Sequence, residues 1–205
     1  MHEDVCRLIS EAVYDFRLKP EKRNQNQRLI LNSNAHKCLK PSGVSFVPIE
    51  HDGCSQKSWE EAALIQEVLG SLVQQSYRDR DENEHRITLE NIMVVAPYNM
   101  QVNLLKRVLP KGARVGTVDK FQGQESEVVI ISMATSSGEY LPRRIEFLYS
   151  KNRLNVAISR ARTLAILVVN PSLLSIKCNT IDQIQLVNTL CWARNYSNRV
   201  GGVSK

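Results

Sequence analysis

Three short segments hold the residues best able to do chemistry. The first, Val95-Ala96-Pro97-Tyr98-Asn99-Met100-Gln101, ends an apolar run, breaks it with Pro97 and opens a helical pattern near Asn99. A helix start there offers unpaired backbone N–H groups and a partial positive charge to a phosphate. Tyr98 is placed to stack on a base, with Gln101 on the first turn facing the same edge. Alternatively this is a capped strand-to-helix turn in which Tyr98 only packs. The second, Gly116-Thr117-Val118-Asp119-Lys120-Phe121-Gln122-Gly123-Gln124-Glu125, ends a strand in a hydroxyl, an acid and a base, then turns through Gly123. Glycine lets backbone approach a ligand closely, and Glu125 has the chemistry to accept hydrogen bonds from ribose hydroxyls. A tight solvated turn is the plainer reading.

The third segment is Asn152-Arg153-Leu154-Asn155-Val156-Ala157-Ile158-Ser159-Arg160-Ala161-Arg162. At about 100° per residue, Leu154, Ala157, Ile158 and Ala161 share an apolar face. Arg153 and Arg160 share one flank of it, and Asn155 and Arg162 the other. Two arginines on one flank suit a triphosphate, because guanidinium makes fixed, bidentate, always-charged contacts. Complementing the helix dipole would account for Arg160 and Arg162 but leaves Arg153 unexplained.

Charge points the same way. The chain has a net charge of +6, and Leu141 to Arg162 holds six cations (Arg143, Arg144, Lys151, Arg153, Arg160, Arg162) against the single acid Glu146. A concentrated basic stretch suits nucleotide or nucleic-acid phosphate, or else is a solvated face. Missing motifs restrict the reading further. None of the nine glycines opens a G-x-x-x-x-G-K-[ST] loop, so the chain has no phosphate cradle of its own. No apolar strand ends in an Asp-Glu pair for magnesium, and no zincin, kinase or nucleophile-elbow motif occurs. The five cysteines, Cys6, Cys38, Cys54, Cys178 and Cys191, form no C-x-x-C pair, so reduced, mostly buried thiols are expected and no metal site. No apolar run approaches the ~20 residues of a membrane span. With acids near the start in place of a signal layout, a cytoplasmic location and no membrane partner are expected.

The elements that must position these segments alternate between two periods. Glu3 to Arg17 has helical spacing, and Lys19 to Gly43 is polar and irregular. Strands are predicted at Val44 to Ile49, Ile92 to Ala96, Ala113 to Val118, Glu127 to Met133 and Leu164 to Val169. Helices are predicted from a Ser58-x-x-Glu61 capping box to about Tyr77, at Asn99 to Leu109, at Lys151 to Ala161 and at roughly Ile181 to Ala193. This alternation implies an α/β fold with a mainly parallel sheet, whose ligands gather at the carboxyl ends of its strands. Val118 to Glu127 is too short for an ordinary helical crossover. One domain over 1–205 is expected, with an irregular excursion at 18–43 and a C-terminal extension at 172–205.

Taken together and in this order, the segments resemble the motifs of superfamily 1 helicases of the Upf-like and Dna-two-like branch. Thr117 to Glu125 is similar to motif V, Arg153 to Arg162 to motif VI, and Ala96 to Gln101 to motif IV. The likeness covers about Met1 to Pro171. That branch commonly reads Gln-Tyr-Arg-Met-His before a helix, and this chain begins Met1-His2-Glu3-Asp4-Val5, as an internal position of a longer protein would. The resemblance implies a RecA-like three-layer α/β/α domain with about five or more strands, the second motor domain of an ATP-dependent helicase or translocase. Its implied partners are an upstream RecA-like P-loop domain of the same polypeptide, holding most of the ATP and Mg²⁺, and single-stranded DNA or RNA. It implies that Arg160 is the catalytic arginine finger and that Gly123, Glu125 and Arg153 join it around ATP. Tyr98, Gln101 and Thr117 would face the nucleic acid. Ala96 departs from the threonine of many relatives, which removes one phosphate contact. On this reading the isolated domain is inactive. The competing expectation is a catalytically inactive module that binds nucleic acid or docks a partner; a metabolic enzyme with a phosphorylated substrate would need a self-contained site.

Overall fold

The computed structural model describes residues 1–140, 151–178 and 181–200. Its centre is a five-stranded sheet built from β2 (Gly43–Pro48), β5 (Ile92–Val95), β6 (Arg114–Gly116), β7 (Ser126–Ser132) and β8 (Ala161–Val169). The strand order is β2-β8-β7-β5-β6, and every neighbouring pair is parallel. Parallel sheets are covered on both faces, so their strands are apolar throughout, and here alternate side chains go to different layers. Met93, Val95, Val129, Ile131, Ala165 and Leu167 face one core, while Ile92, Val94, Val128, Ile130, Leu164 and Ile166 face the other.

The first core is closed by α1 (Glu3–Val13), α4 (Lys151–Ser159) and α5 (Ile181–Val200), through residues such as Val5, Leu8, Ala157, Ile158 and Leu190. The second is closed by α2 (Trp59–Leu72) and α3 (Asn99–Val108), through Ile65, Leu69, Leu104 and Leu105. The result is the three-layer α/β/α architecture. Helix α1 stops short of the predicted Arg17, because the chain turns back through positive φ at Asp15 (47°) and Phe16 (63°). Helix α2 stops at Leu72, short of Tyr77.

The polar stretch after α1 contributes more than its composition foretells. Its strand β1 (Arg28–Ile30) pairs antiparallel with β3 (Ser76–Arg78), which pairs with β4 (Glu84–Arg86) in a separate small sheet. Strands of three residues carry no usable period, so the amino-acid pattern does not announce them. The carboxyl-terminal helix α5 lies on the first core through Val187, Leu190, Ala193 and Tyr196. It also serves the edge strand β2: Ser197 Oγ accepts the Phe46 N–H at 2.9 Å, and Lys40 Nζ donates to the Ser197 carbonyl at 2.6 Å. Edge strands present unpaired backbone groups that proteins cover, and α5 is this cover. Ser197→Ala should therefore lower stability by about 1 kcal/mol, the usual loss of one such hydrogen bond, read as a smaller urea midpoint at constant m-value.

Candidate functional site

The segment joining β6 to β7 decides where the candidate residues stand. Because β5 lies between those strands, Thr117 to Glu125 must run from the carboxyl end of β6 to the amino end of β7. It does so without a crossover helix, through a single 3-10 turn at Asp119–Phe121. Phe121 is buried in the first core, which pins the segment to the face that also carries α4. Gly116 permits the descent, since a Cβ there would meet Lys120 Cδ at 2.7 Å. Gly123 then takes φ +77° with open space around it, so glycine is required by backbone conformation and not by crowding.

Helix α4 runs in the same direction beside this segment, antiparallel to the strands, and leads directly into β8. Arg153, in its first turn, lies at the carboxyl edge of the sheet, with Nη2 3.6 Å from Asp119 Oδ2. Arg160, just past its end, lies at the amino edge, where its carbonyl accepts the Ser126 N–H at 3.0 Å. At 1.5 Å per residue, seven residues place the two arginines ~10 Å apart along the helix. The shared flank seen in the sequence therefore does not aim both at one triphosphate. Arg153 stands apart from Glu125 and Arg160, with which the sequence reading grouped it around ATP.

At the carboxyl edge, Thr117, Asp119 and Arg153 rim a cavity of about 300 Å³ walled by Val95, Ile131 and Leu154. Tyr98 lines the same cavity but is only 4% exposed and packed into the first core. Its ring is a wall with no face open to solvent for stacking, so the packing alternative holds. Gln101, expected to face the nucleic acid, is placed in the interior. It is fully buried, its Oε1 accepts the Ser58 N–H at 2.9 Å, and its Nε2 donates to the Ser58 carbonyl at 3.2 Å and to Ser132 Oγ at 3.0 Å. Both of its N–H donors and its carbonyl are spent on tying α3 to the start of α2 and to β7, and no surface is left for a nucleic-acid strand.

At the amino edge, Glu125 is met by Arg162, whose Nε donates at 3.1 Å and whose Nη1 reaches Glu127 at 3.4 Å. Glu127 Oε2 in turn accepts from Thr163 Oγ1 at 3.0 Å. Burial works against the Arg162 cation, but the bond from Glu125 and the charge of Glu127 hold its pKa above the ordinary arginine value. Arg162 is thus a structural brace across β7 and β8, and His2 N–H closes the same corner on its carbonyl. Arg160 differs: its Nε is enclosed and finds no hydrogen-bond partner among the described residues. The residue as a whole is partly exposed and makes no ion pair among the described residues, so its outer guanidinium nitrogens can meet an anionic oxygen supplied from outside. Of the basic cluster, Arg143 and Arg144 and the Lys151 side chain lie outside the described residues.

A buried polar array near the carboxyl edge has no counterpart in the motif reading. Glu61, fully buried, accepts from Ser132 Oγ and from the Ala134 N–H, with both carboxylate oxygens 3.0 Å from that nitrogen. His51 Nε2 lies 3.1 Å from Glu61, and its Nδ1 lies 2.8 Å from Ser136 Oγ. Ser58 caps α2 as predicted, accepting the Glu61 N–H at 3.0 Å. The reciprocal half of the capping box is absent because Glu61 turns inward and Gln101 takes its place.

A family model described as an AAA domain matches residues 1–172. The chain belongs to this family. Its AAA domain corresponds to the C-terminal part of superfamily 1 helicases of the Upf-like, Dna-two-like and senataxin-like group. Similar proteins include DNA polymerase alpha-associated DNA helicase A of Saccharomyces cerevisiae, 36% identical over 83% of this chain and 26% of its own length. The protein of the same name from Schizosaccharomyces pombe is 30% identical over 79% of this chain and 25% of its own. The probable RNA helicase armi of Drosophila melanogaster is 38% identical over 44% of this chain and 8% of its own. The AAA domain thus spans about a quarter or less of the relatives it resembles. Among its described residues no helix is long and apolar enough to cross a membrane.

The geometry assigns Gln101 to stability. Gln101→Ala strands the Ser58 N–H and carbonyl and the Ser132 hydroxyl, so unfolding free energy should fall by about 2–4 kcal/mol. A denaturation midpoint equal to wild type would contradict this assignment.

Proposed function

We propose that this AAA domain is the second motor domain of an ATP-dependent helicase or translocase, with its nucleotide and strand contacts divided between opposite edges of one sheet. The observation that carries the reading is the partly exposed Arg160, a cation with no ion pair among the described residues, at the amino edge beside the turn that holds Gly123 and Glu125. Those residues fit the edge of a nucleotide site. Arg160 would meet the terminal phosphate, Gly123 allows close backbone approach, and Glu125, half-exposed in its pair with Arg162, has carboxylate capacity left for ribose hydroxyls. An upstream P-loop domain would hold the rest of the ATP together with Mg²⁺, which supplies charge neutralisation at the phosphates. Arg160 then contributes a fixed cation where negative charge develops as the phosphoryl group leaves.

The carboxyl edge is the strand side of the proposal. Thr117 offers a hydroxyl and Arg153 a cation at the cavity rim, both suited to backbone phosphate without base preference. Strand β7 connects the two edges directly, and its seven residues (Ser126–Ser132) span ~20 Å at the usual rise. A rigid buried strand of that length lets closure of the nucleotide edge move the strand edge as one body. DNA and RNA both satisfy this chemistry.

Strand-stimulated ATP turnover of the complete polypeptide tests the assignment. Arg160→Ala should lower turnover by ~10³-fold while nucleotide binding persists. Arg153→Ala should leave nucleotide affinity unchanged and weaken strand binding, with a salt slope reduced by about one phosphate contact. Turnover unaffected by Arg160→Ala would remove the arginine-finger assignment. A polypeptide without turnover on either nucleic acid would favour a binding module.

A further inference from the structure

The proposed strand edge extends past the motif residues to an exposed aromatic. Trp59, the first residue of α2, is 60% exposed, and Met100, in the first turn of α3, is 47% exposed. Together with Gln56, Lys57 and Glu60 they line a groove of about 420 Å³. Gln56 and Met100 also line the cavity that Thr117 and Arg153 rim, so the two spaces adjoin. A single exposed aromatic is ordinary, but Trp59 and Met100 line one groove together, and an apolar patch beside polar groups suits a ligand surface.

We propose that Trp59 is a stacking platform on which a base of the bound single strand lies, with Met100 completing the apolar floor. This rests on the reading of the carboxyl edge as the strand side. The platform is held rigidly. Ser58, immediately before Trp59, is fully buried, and both its backbone N–H and carbonyl are bonded by the Gln101 amide, while its hydroxyl caps the Glu61 N–H. A ring on so fixed a backbone loses little further freedom when a base covers it. The charges around it select the base over the phosphate. Glu60, anchored on Ser58 Oγ at 2.8 Å, keeps a negative charge beside the ring and repels backbone phosphate there. Lys57 lies exposed on the same groove and Arg153 at the rim of the adjoining cavity, so the phosphates can run past those cations while the base turns inward to Trp59. Every base offers a π-face, so this contact adds affinity without sequence preference.

The chain has two tryptophans, which makes the test direct. In a Trp192→Phe background the remaining indole emission is that of Trp59, and titration with an unlabelled 15-nucleotide oligothymidylate or oligouridylate at low salt should quench it saturably. By anisotropy of the labelled oligonucleotide, Trp59→Ala should weaken binding about 10-fold, the scale of one lost stack, and Trp59→Phe should restore most of it. Because the side chain is exposed, thermal midpoints should not move. If wild type binds and Thr117→Ala weakens binding, but Trp59→Ala binds normally and the emission stays constant, the platform is refuted and the strand edge stands. If wild type binds neither oligonucleotide, the strand edge falls, and the platform with it.

Discussion

The pairing of β7 with β8, with α4 folded back upon both, is the constraint on which the functional geometry depends. A parallel pair has to be joined by a return path on one face, and here α4 is that path's last leg. Its nine residues carry Arg153 at one end and deliver Arg160 at the other. The segment Thr117 to Glu125 makes the same journey beside it, from the carboxyl end of β6 to the amino end of β7. Two runs side by side on one face, stitched by Arg153–Asp119 above and by Arg162–Glu125 below, produce two chemically distinct edges. Both runs stay in place because Phe121, Leu154, Ala157 and Ile158 fill the same core.

The carboxyl edge is stiffened by polar groups buried where apolar ones would be expected. An interior carboxylate is tolerable only when its lone pairs are met, and Glu61 receives Ser132, Ala134 and His51. Its reward to the fold is control of the loop leaving β7, where Ala134 sits at φ +62°, a left-handed conformation that costs a non-glycine residue ~1–2 kcal/mol. Gln101 extends the network to Ser58. One buried network thus sets the exit of β7 and the starts of α2 and α3, the elements that border both cavities.

Much of the fold was legible because the strands of the large sheet are apolar throughout and the helices between them have clear periods. The α/β class, the parallel sheet and the start of α2 at Ser58 follow from these signals alone. The small sheet was not legible, since its three-residue strands take their stability from pairing with distant residues such as Arg28 with Arg78. For the candidate site, residue types and spacing singled out the segments but not the directions of their side chains. Gln101 shows why: a glutamine on the first turn of a helix reads equally as a ligand contact or a clamp. Only the positions of Ser58 and Ser132, 43 and 31 residues away, decide between them. Arg153 and Arg160 share a flank by helical angle, yet the ends of the helix face different surroundings.

In the function proposed for this domain, nucleotide and nucleic-acid strand engage opposite edges of one rigid sheet. Hydrogen exchange of the complete polypeptide, with a non-hydrolysable ATP analogue and with a single-stranded oligonucleotide in separate experiments, tests it most directly. The account requires the analogue to protect amides around Gly123 to Ser126 and Arg160 to Arg162, and the oligonucleotide to protect those around Gln56 to Trp59 and Thr117 to Asp119. Protection of the same edge by both ligands would contradict it.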